Sequence, residues 1–576
     1  MSSLNIERKS VYEVFTKRGL KFLIPDYQRP YSWTLDHCET LWEDFKEFAF
    51  PNGDAEIFND DKDEYFLGTI LTFDNGCGQN EVIDGQQRLI TLLLLLRAFY
   101  ESFGESKNKT YGRIAECIWK IDRNDNPDFS TCKITSEVAT DENNKEFGKI
   151  ISEGIATQND KSNYAENYRY FQRKINEFKL TMPDNFSLLP KRILDNCILL
   201  PIETNSQNTA LRIFTTLNDR GMPLSDSDIF KAQFYKFFQR QGKSEKENFV
   251  NRWRELERLC NKNFHPRTGT SMDDLFMRYM YYLMARENIK SDTFLGLRPY
   301  YEKNNYAILQ DEKTFEDLEI LAKFWDDVAN RYSERFSERI LRQLYILSYS
   351  PYNIWAYIVS LYFMSNRNDK NSLSDENFYN FLDKINAMIL MHGVANLGVQ
   401  SIRRPFFVEF GNILRGENLS FKDYRQDKKS FIEKMREMSF SNTRRITRAI
   451  LAWWIFRNSA QELPPIDTRL EIEHIYAVKR HEFSPLSDEK NLELLGNKAL
   501  LEKRINIRAA DYRFEDKKKY YLGYKRNGKW TQGTMINELR ELAETKEDFT
   551  EEDILTRNEK IFSAFIEYLE QNNLLR

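Results

Sequence analysis

Five consecutive leucines, Leu92 to Leu96, lie inside the stretch EVIDGQQRLITLLLLLRAFY at residues 81–100. A helix that is apolar on every side has to be surrounded by protein. The run is far shorter than the ~20 residues of a bilayer crossing, so it marks a core and not a membrane span. A short strand, 81–83, precedes it, and the polar turn Asp84-Gly85-Gln86-Gln87-Arg88 joins the two. Gly85 can take backbone angles that other residues resist. Such a turn leaves the first N–H groups of the helix pointing outward as an anion site, and Arg88 adds a fork of donors suited to phosphate. Gln86 and Gln87 bring amides that can orient a water or read a base edge. The alternative is a helix cap with solvated glutamines.

The 576 residues are enough for three or four domains. With 41% hydrophobic and 30% charged residues, the composition is that of a soluble globular chain. The net charge of −4 argues against a protein that only coats nucleic acid, so DNA contact has to be local, transient or absent. The six cysteines are scattered, with no C-x-x-C pair, which fits a reducing cytoplasm and argues against a zinc ribbon. The opening MSSLNIERKS has no hydrophobic signal region, so export is not expected. Only five histidines are present, which leaves a histidine-based catalyst few positions.

Taken in order, residues 10–18 read as a short helix and 20–24 as a strand. Pro25 and Pro30 then bracket a rigid, extended segment. Tyr27, Gln28, Arg29, Tyr31 and Trp33 crowd onto it; the aromatics can stack on a base and Arg29 can meet phosphate. The alternative is an aromatic surface packed under the next helix, 35–48. Residues 65–73 (YFLGTILTF) should pair with 81–83 across a turn at 74–79. Residues 102–165 read as short helices and loops without chemistry, 164–178 as a helix, and 197–203 (CILLPIE) as a strand returning to the sheet. A helix over 211–217 ends at Asn218-Asp219-Arg220-Gly221, and Ser225 or Asp226 starts the next. Asn218 either touches a nucleotide or forms a plain helical corner.

Residues 240–460 are rich in helix and aromatics, with helices at 277–283, 315–332, 341–347, 354–363, 378–391 and 449–456. Arg403-Arg404 and Arg444-Arg445 with Arg448 read as solvated faces, with phosphate contact as the alternative. Leu463-Pro464-Pro465 breaks the chain. The expected domains are therefore 1–240, 241–460 and 461–576. Beyond the break come Glu471-Ile472-Glu473-His474-Ile475, Leu494-Leu495-Gly496-Asn497, Asn506, Phe514 and Lys517-Lys518-Lys519. Residues 471–530 hold 14 Lys and Arg against 10 Asp and Glu, a modest phosphate-binding field in an acidic chain. Two amphipathic helices, 530–544 and 550–569, close the sequence, the second capped by Thr550 with Asp553 three residues on.

Three polar segments in the N-terminal half occur in a fixed order: 24–33, 84–88 and 214–231. Together they resemble the N-terminal domain of the GmrSD-type, modification-dependent (type IV) restriction endonucleases over roughly residues 8–240. That domain is related to the ParB/sulfiredoxin fold, in which the turn equivalent to 84–88 binds nucleotide phosphates. The C-terminal constellation resembles the HNH (ββα-metal) nuclease domain of the same family. The resemblance implies an α+β multidomain protein, predominantly helical. A ParB/sulfiredoxin-like domain would hold a nucleoside triphosphate with Tyr27, Gln28, Arg29, Asp84, Gly85, Gln86, Gln87, Arg88 and Asn218. No G-x-x-x-x-G-K-[ST] is present, so GTP, UTP or CTP is expected in preference to ATP in a P-loop.

For the nuclease domain the resemblance implies a strand ending in Glu473-His474, a loop carrying Asn497 and a helix projecting Asn506. His474 suits the general base. Glu473 and Asn506 would supply oxygen ligands to Mg²⁺ or Mn²⁺, with Glu471 as the alternative to Glu473. Asn497 would hold the loop and the imidazole, and Lys517, Lys518 and Lys519 the DNA backbone. His392 reads as structural, and His481 has no role. One departure stands out: where the family commonly has proline two or three residues after the histidine, this chain has Tyr476-Ala477. The function implied is a cytoplasmic anti-phage endonuclease that cleaves or nicks foreign, base-modified double-stranded DNA under nucleoside triphosphate control. No membrane is involved, and a homo-oligomer is compatible with the sequence. The alternative is a non-catalytic, nucleotide-responsive DNA-binding or toxin-like regulatory protein with an idle HNH fold, which the acidic pI and the missing proline favour slightly and the intact Glu473, His474, Asn497 and Asn506 set disfavours.

Overall fold

Short apolar runs build the first sheet, with Phe22–Ile24 buried at all three positions. The strands of the N-terminal unit are β1 (Asn5–Ile6), β2 (Lys9–Ser10), β3 (Phe22–Ile24), β4 (Tyr65–Asp74), β5 (Asn80–Asp84), β6 (Trp119–Ile121), β7 (Pro127–Cys132), β8 (Ile134–Ser136) and β9 (Cys197–Thr204). β6 and β7 form a separate hairpin, and the others form one sheet in the order β1-β9-β4-β5-β3-β8, with β2 also on β9. β4 and β5 pair antiparallel, as expected, with Thr72 opposite Val82 and Phe73 opposite Glu81. β9 returns parallel to β4, and β3 lies parallel to both β5 and β8. The sheet is therefore mixed, and β5 sits inside it.

The computed structural model describes residues 5–17, 21–25, 28, 30–74, 78–104, 108–122, 124, 126–138, 143–204, 225–261, 271–288, 296–395, 401–510, 513–526 and 528–576. They form an α+β protein, mostly helical, in two compact units, 1–254 and 255–576. In the first, the helix Gln86–Phe103 leaves β5 and runs through the core with Leu92 to Leu96 all at 0% exposure. Helices Lys109–Ile118, Asn144–Glu153 and Asn163–Thr181 pack around it. Each such leucine contributes about 1.5–3 kcal/mol on burial. The run therefore fixes the position of the turn at its head. The region 102–165 departs from expectation: it carries the β6–β7 hairpin, and β8 joins the main sheet with Ile134 opposite Phe22. A three-residue strand gives too little alternation to be read from sequence. The helix expected at 211–217 lies outside the described residues.

The second unit contains the helices expected between 240 and 460, most of them starting earlier because polar caps begin them. Ser271 caps Met272–Arg286, Asp311 caps Glu312–Ala329 and Ser374 caps Asp375–Val394. The chain then forms the pair β10 (Leu470–His474) and β11 (Lys498–Glu502), the helices Lys503–Ala509 and Phe514–Leu522, and the hairpin β12 (Gly523–Arg526) and β13 (Lys529–Gln532). Helices Asn537–Thr545 and Glu551–Gln571 follow. The helix expected at 530–544 is thus corrected: its first residues are strand, with Trp530 opposite Lys525, and the helix begins at Asn537. The segments 241–460 and 461–576 meet within this unit, where Arg445–Phe456 packs on β11 and Asp375–Val394 on Glu551–Gln571. Among the described residues, no helix is long and apolar enough to cross a membrane.

The last helix presses against the turn before β11. A Cβ on Gly496 would lie 2.0 Å from the Ile554 carbonyl oxygen, so only glycine fits there. Arg557 donates to the carbonyls of Leu495, Gly496 and Lys498 at 2.9, 3.0 and 2.8 Å, and its other nitrogens grip Glu538. Across the strand pair, the Tyr476 N–H donates to Asn497 Oδ1 at 2.7 Å, a bond that proline at 476 could not make. Ala477 sits at φ −66°, the angle to which proline is locked. The turn after His474 therefore keeps a proline-compatible backbone without the proline.

This packing has two consequences for stability. Gly496→Ala should lower the unfolding free energy by about 1–3 kcal/mol or more through overpacking, read as a shifted denaturant midpoint. An unchanged midpoint would mean that the helix does not press on the turn. Ala477→Pro should fold normally and gain about 0.4–1 kcal/mol by restricting the unfolded chain; a marked loss in thermal melts would contradict the backbone angle.

Candidate functional site

The N-terminal turn begins where β5 ends. Gly85 has φ +91° and stands at the head of the helix Gln86–Phe103 with no side-chain cap. A Cβ there would meet the Thr69 carbonyl oxygen at 3.3 Å and Ile70 Cγ1 at 3.2 Å, so the turn lies tight against β4. The half-buried Arg88 donates from Nη1 to the Thr69 carbonyl at 2.8 Å. Burial lowers its pKa, and the nearby Asp84 opposes that shift. Gly68, at φ +112°, makes room for the guanidinium, since a Cβ would lie 3.0 Å from Nη2.

The two glutamines of the turn are buried rather than solvated. Gln87 Oε1 accepts from the Ser32 and Trp33 N–H groups at 2.8 and 3.3 Å, and its Nε2 donates to the Pro30 carbonyl at 3.1 Å. Gln28 Nε2 reaches the Val82 and Ile83 carbonyls at 3.3 and 3.2 Å. Asn167 donates to the Tyr31 hydroxyl and the Trp33 carbonyl at 3.0 and 2.8 Å. The extended segment is therefore held beside the turn, as the family resemblance implied. Gln87, however, spends its amide on the backbone of that segment rather than facing a ligand. Gln86 lies buried beside it at 5% exposure. Tyr27, Arg29 and Asn218 lie outside the described residues. Within the third segment, Ser225 caps Asp226–Gln241 in a capping box with Asp228.

In the second unit, β10 ends at His474, opposite Lys498 of β11. Asn497 is fully buried. Its Oδ1 accepts from Tyr476, and its Nδ2 donates to the Tyr476 and Leu492 carbonyls at 3.1 Å each. That amide is fully used in holding the turn behind His474. Asn506, on the helix Lys503–Ala509, points back at β10 with Nδ2 3.4 Å from the Ile472 carbonyl.

His474 has a side chain 16% exposed, and its Nε2 lies 3.4 Å from Glu493 Oε1, a contact not aligned as a hydrogen bond. Glu493 Oε2 pairs with Lys498 Nζ at 2.9 Å, and Lys498 Nζ also donates to Asn442 Oδ1 at 2.7 Å. Burial, with help from the charge of Lys498, lowers the His474 pKa to about 4, so the imidazole is neutral at pH 7. Sequence reading missed Glu493, Lys498 and Asn442. Lys498 was open to discovery once the strands were paired, since it stands directly across from His474.

Glu473 turns to the interior, 4% exposed. Its Oε1 accepts from Lys517 Nζ and from the Tyr521 hydroxyl, both at 2.7 Å, and Lys517 Nζ also donates to the His474 carbonyl at 2.6 Å. Two expectations are corrected here. Lys517 does not face DNA: it is 1% exposed, because a buried carboxylate requires a counter-charge. Glu473 does not fit as a metal ligand, because its charge is already met by that lysine. Among the described residues, no group of three or more His, Cys, Asp and Glu could hold a metal ion. Glu471, the alternative ligand, lies 3.6 Å from Lys503 Nζ. Of the other lysines, Lys518 donates to the Lys546 carbonyl at 2.7 Å, and Lys519 is exposed. His392 is a buried structural histidine between the Tyr352 and Ser401 hydroxyls, and His481 Nδ1 accepts from the Leu486 N–H at 3.0 Å.

No curated protein matches the chain. Residues 11–235 match the family model of the GmrSD restriction endonuclease N-terminal domain, and residues 425–564 that of the C-terminal domain. The second match starts before the Leu463-Pro464-Pro465 break and takes in the helix Arg445–Phe456 that packs on β11. With both domains of one architecture matched in order over more than half of its length, the chain belongs to the GmrSD restriction endonuclease family.

Proposed function

We propose that this protein cuts or nicks foreign, base-modified double-stranded DNA at His474, and that nucleoside triphosphate bound at the Asp84–Arg88 turn licenses the cut. The single observation that carries the nuclease reading is the His474 imidazole, kept neutral, at the end of a strand whose following turn is clamped by Asn497. A neutral imidazole can take a proton from the attacking water. Glu493 beside Nε2 can then stabilise the imidazolium that forms. Lys498, held between Glu493 and Asn442, limits how far Glu493 can move. Asn497 is a positioning residue, since its amide touches only the backbone. An HNH-like fold is the reading of the β10–β11 pair and the helix carrying Asn506.

The family's chemistry calls for a divalent cation, Mg²⁺ or Mn²⁺. Glu473 does not fit that role, and no step is routed through the ion. The buried Glu473–Lys517 pair also keeps the second reading alive, a nucleotide-responsive binding protein with an idle nuclease fold. For the N-terminal unit, a ParB/sulfiredoxin-like role rests on the open helix start at Gly85 and on Arg88, both suited to a triphosphate such as GTP, UTP or CTP.

Plasmid and modified phage DNA, incubated with Mg²⁺ or Mn²⁺ and each nucleoside triphosphate, should be cleaved by the wild type. His474→Ala should be slower by about 10²–10⁴-fold, the usual contribution of a general base. Because the folded pKa lies below the free histidine value, the base form persists as pH falls. The single-turnover rate should therefore stay level through pH ~6.5 and decline only toward about 4. A half-maximal rate near 6.5, or cleavage intact in the mutant, would remove His474 from the reaction. No cleavage under any condition would favour the idle-fold reading. Nucleotide control predicts that adding the triphosphate raises the rate and that Arg88→Ala abolishes the increase. A rate indifferent to both would sink the coupling.

A further inference from the structure

The second unit contains a basic cavity of about 490 Å³. Arg444, Arg445 and Arg448 line it from the start of Arg445–Phe456, and Arg278 from Met272–Arg286. Two helices begin at its wall without a side-chain cap: Arg445–Phe456 behind Arg444, and Ile354–Asn366 behind Asn353. Their first N–H groups add positive potential to that of the arginines. One acid, Asp274, lies in the lining, and it is engaged by Ser271 in a capping box. Four guanidinium groups against one carboxylate make a strongly positive cavity, although the chain as a whole is acidic.

The cavity adjoins the reaction centre through named contacts. Asn442, in its wall, accepts from Lys498 Nζ at 2.7 Å; Lys498 pairs with Glu493, and Glu493 lies 3.4 Å from His474 Nε2. Arg278 is 5% exposed, with its guanidinium 4.1 Å over the Trp325 ring, and burial lowers its pKa to about 10. A bound anion would favour its charged form.

We propose that this cavity is a phosphate-binding site that seats a backbone phosphate of the DNA strand beside the bond cut at His474. Arginine forks suit the tetrahedral oxygens, and the site size admits a phosphate with its flanking sugars. The proposal rests on His474 as the nuclease centre, and so the test measures binding separately from cutting. It also reassigns Arg444, Arg445 and Arg448 from solvated faces to a working surface.

The experiment uses the full chain carrying His474→Ala, without added metal, and follows anisotropy of a labelled duplex across a salt series. Arg444→Gln/Arg445→Gln/Arg448→Gln should weaken binding at least tenfold at low salt. It should also make the slope of log affinity against log salt shallower by about 0.9 for each phosphate that is no longer neutralised. The single change Arg445→Glu, at an exposed position, serves as a second variant that leaves the fold intact by circular dichroism. Lys434→Gln, exposed and outside the cavity, should bind as the parent does. Unchanged affinity and slope in both arginine variants would overturn the proposal. So would a result in which DNA binding is retained while thermal stabilisation by inorganic phosphate or GTP is abolished, since the occupant would then be a free phosphate compound. If DNA binding falls as expected but the wild type cuts nothing, the phosphate site stands and the nuclease reading fails.

Discussion

The C-terminal unit depends on one buried pair of charges. Glu473 and Lys517 lie together in the interior, with the Tyr521 hydroxyl on the same carboxylate oxygen. Removing one partner of such a pair costs about 3–5 kcal/mol, because the other is left charged and unsolvated. The pair ties the end of β10 to the helix Phe514–Leu522, and Lys517 also holds the His474 carbonyl. It thereby fixes the backbone from which the imidazole projects. The same interaction removes Glu473 from the set of groups open to a cation. With Lys498 nearby, Lys517 also helps keep the imidazole neutral.

The N-terminal unit solves a similar problem with neutral groups. Its extended segment would expose carbonyl and N–H groups to a largely apolar interior. Gln87 and Asn167 satisfy those groups with amides, and Gln28 on the segment donates to the Val82 and Ile83 carbonyls of β5. Amides cost less to bury than ions, and each can donate and accept. The segment and the turn Asp84–Arg88 are consequently held together by residues that look, in the sequence, like ligand readers. The family resemblance was informative about the proximity of the first two motifs and less so about which atoms face outward.

In the second unit, the boundary suggested by Leu463-Pro464-Pro465 does not separate the cores. Arg445–Phe456 packs on β11, and Glu551–Gln571 packs on both Asp375–Val394 and the turn at Leu495–Asn497. Helices from the middle of the chain therefore pack on the strand that pairs with β10 and on the helix that closes the unit. The arginine cavity lies wholly among the helices before that break, and its lining residues come from segments more than 150 positions apart in sequence.

Much of the framework was legible in local pattern. The leucine run required a buried helix, the β-rich runs 65–73 and 81–83 read as a pair, and Thr550 with Asp553 announced the last helix as a capping box. The strand ending at His474, the turn carrying Asn497 and the helix carrying Asn506 were expected from the family resemblance and not from local pattern alone. Burial and pairing were not readable. Lys517 in a run of three lysines looks like surface, and only the fold reveals that a buried Glu473 pulls it inward. Glu493 approaches His474, with Lys498 and Asn442 joined behind it, through contacts that span up to 56 positions, and no local pattern encodes such distances. The sequence by itself determined the order of elements, the buried helix and the identities of the chemical groups, because these depend on neighbours along the chain. Only the tertiary structure decided which charges are neutralised, which amides are spent on backbone and which arginines share a cavity, because those follow from the low dielectric and close packing of a folded interior.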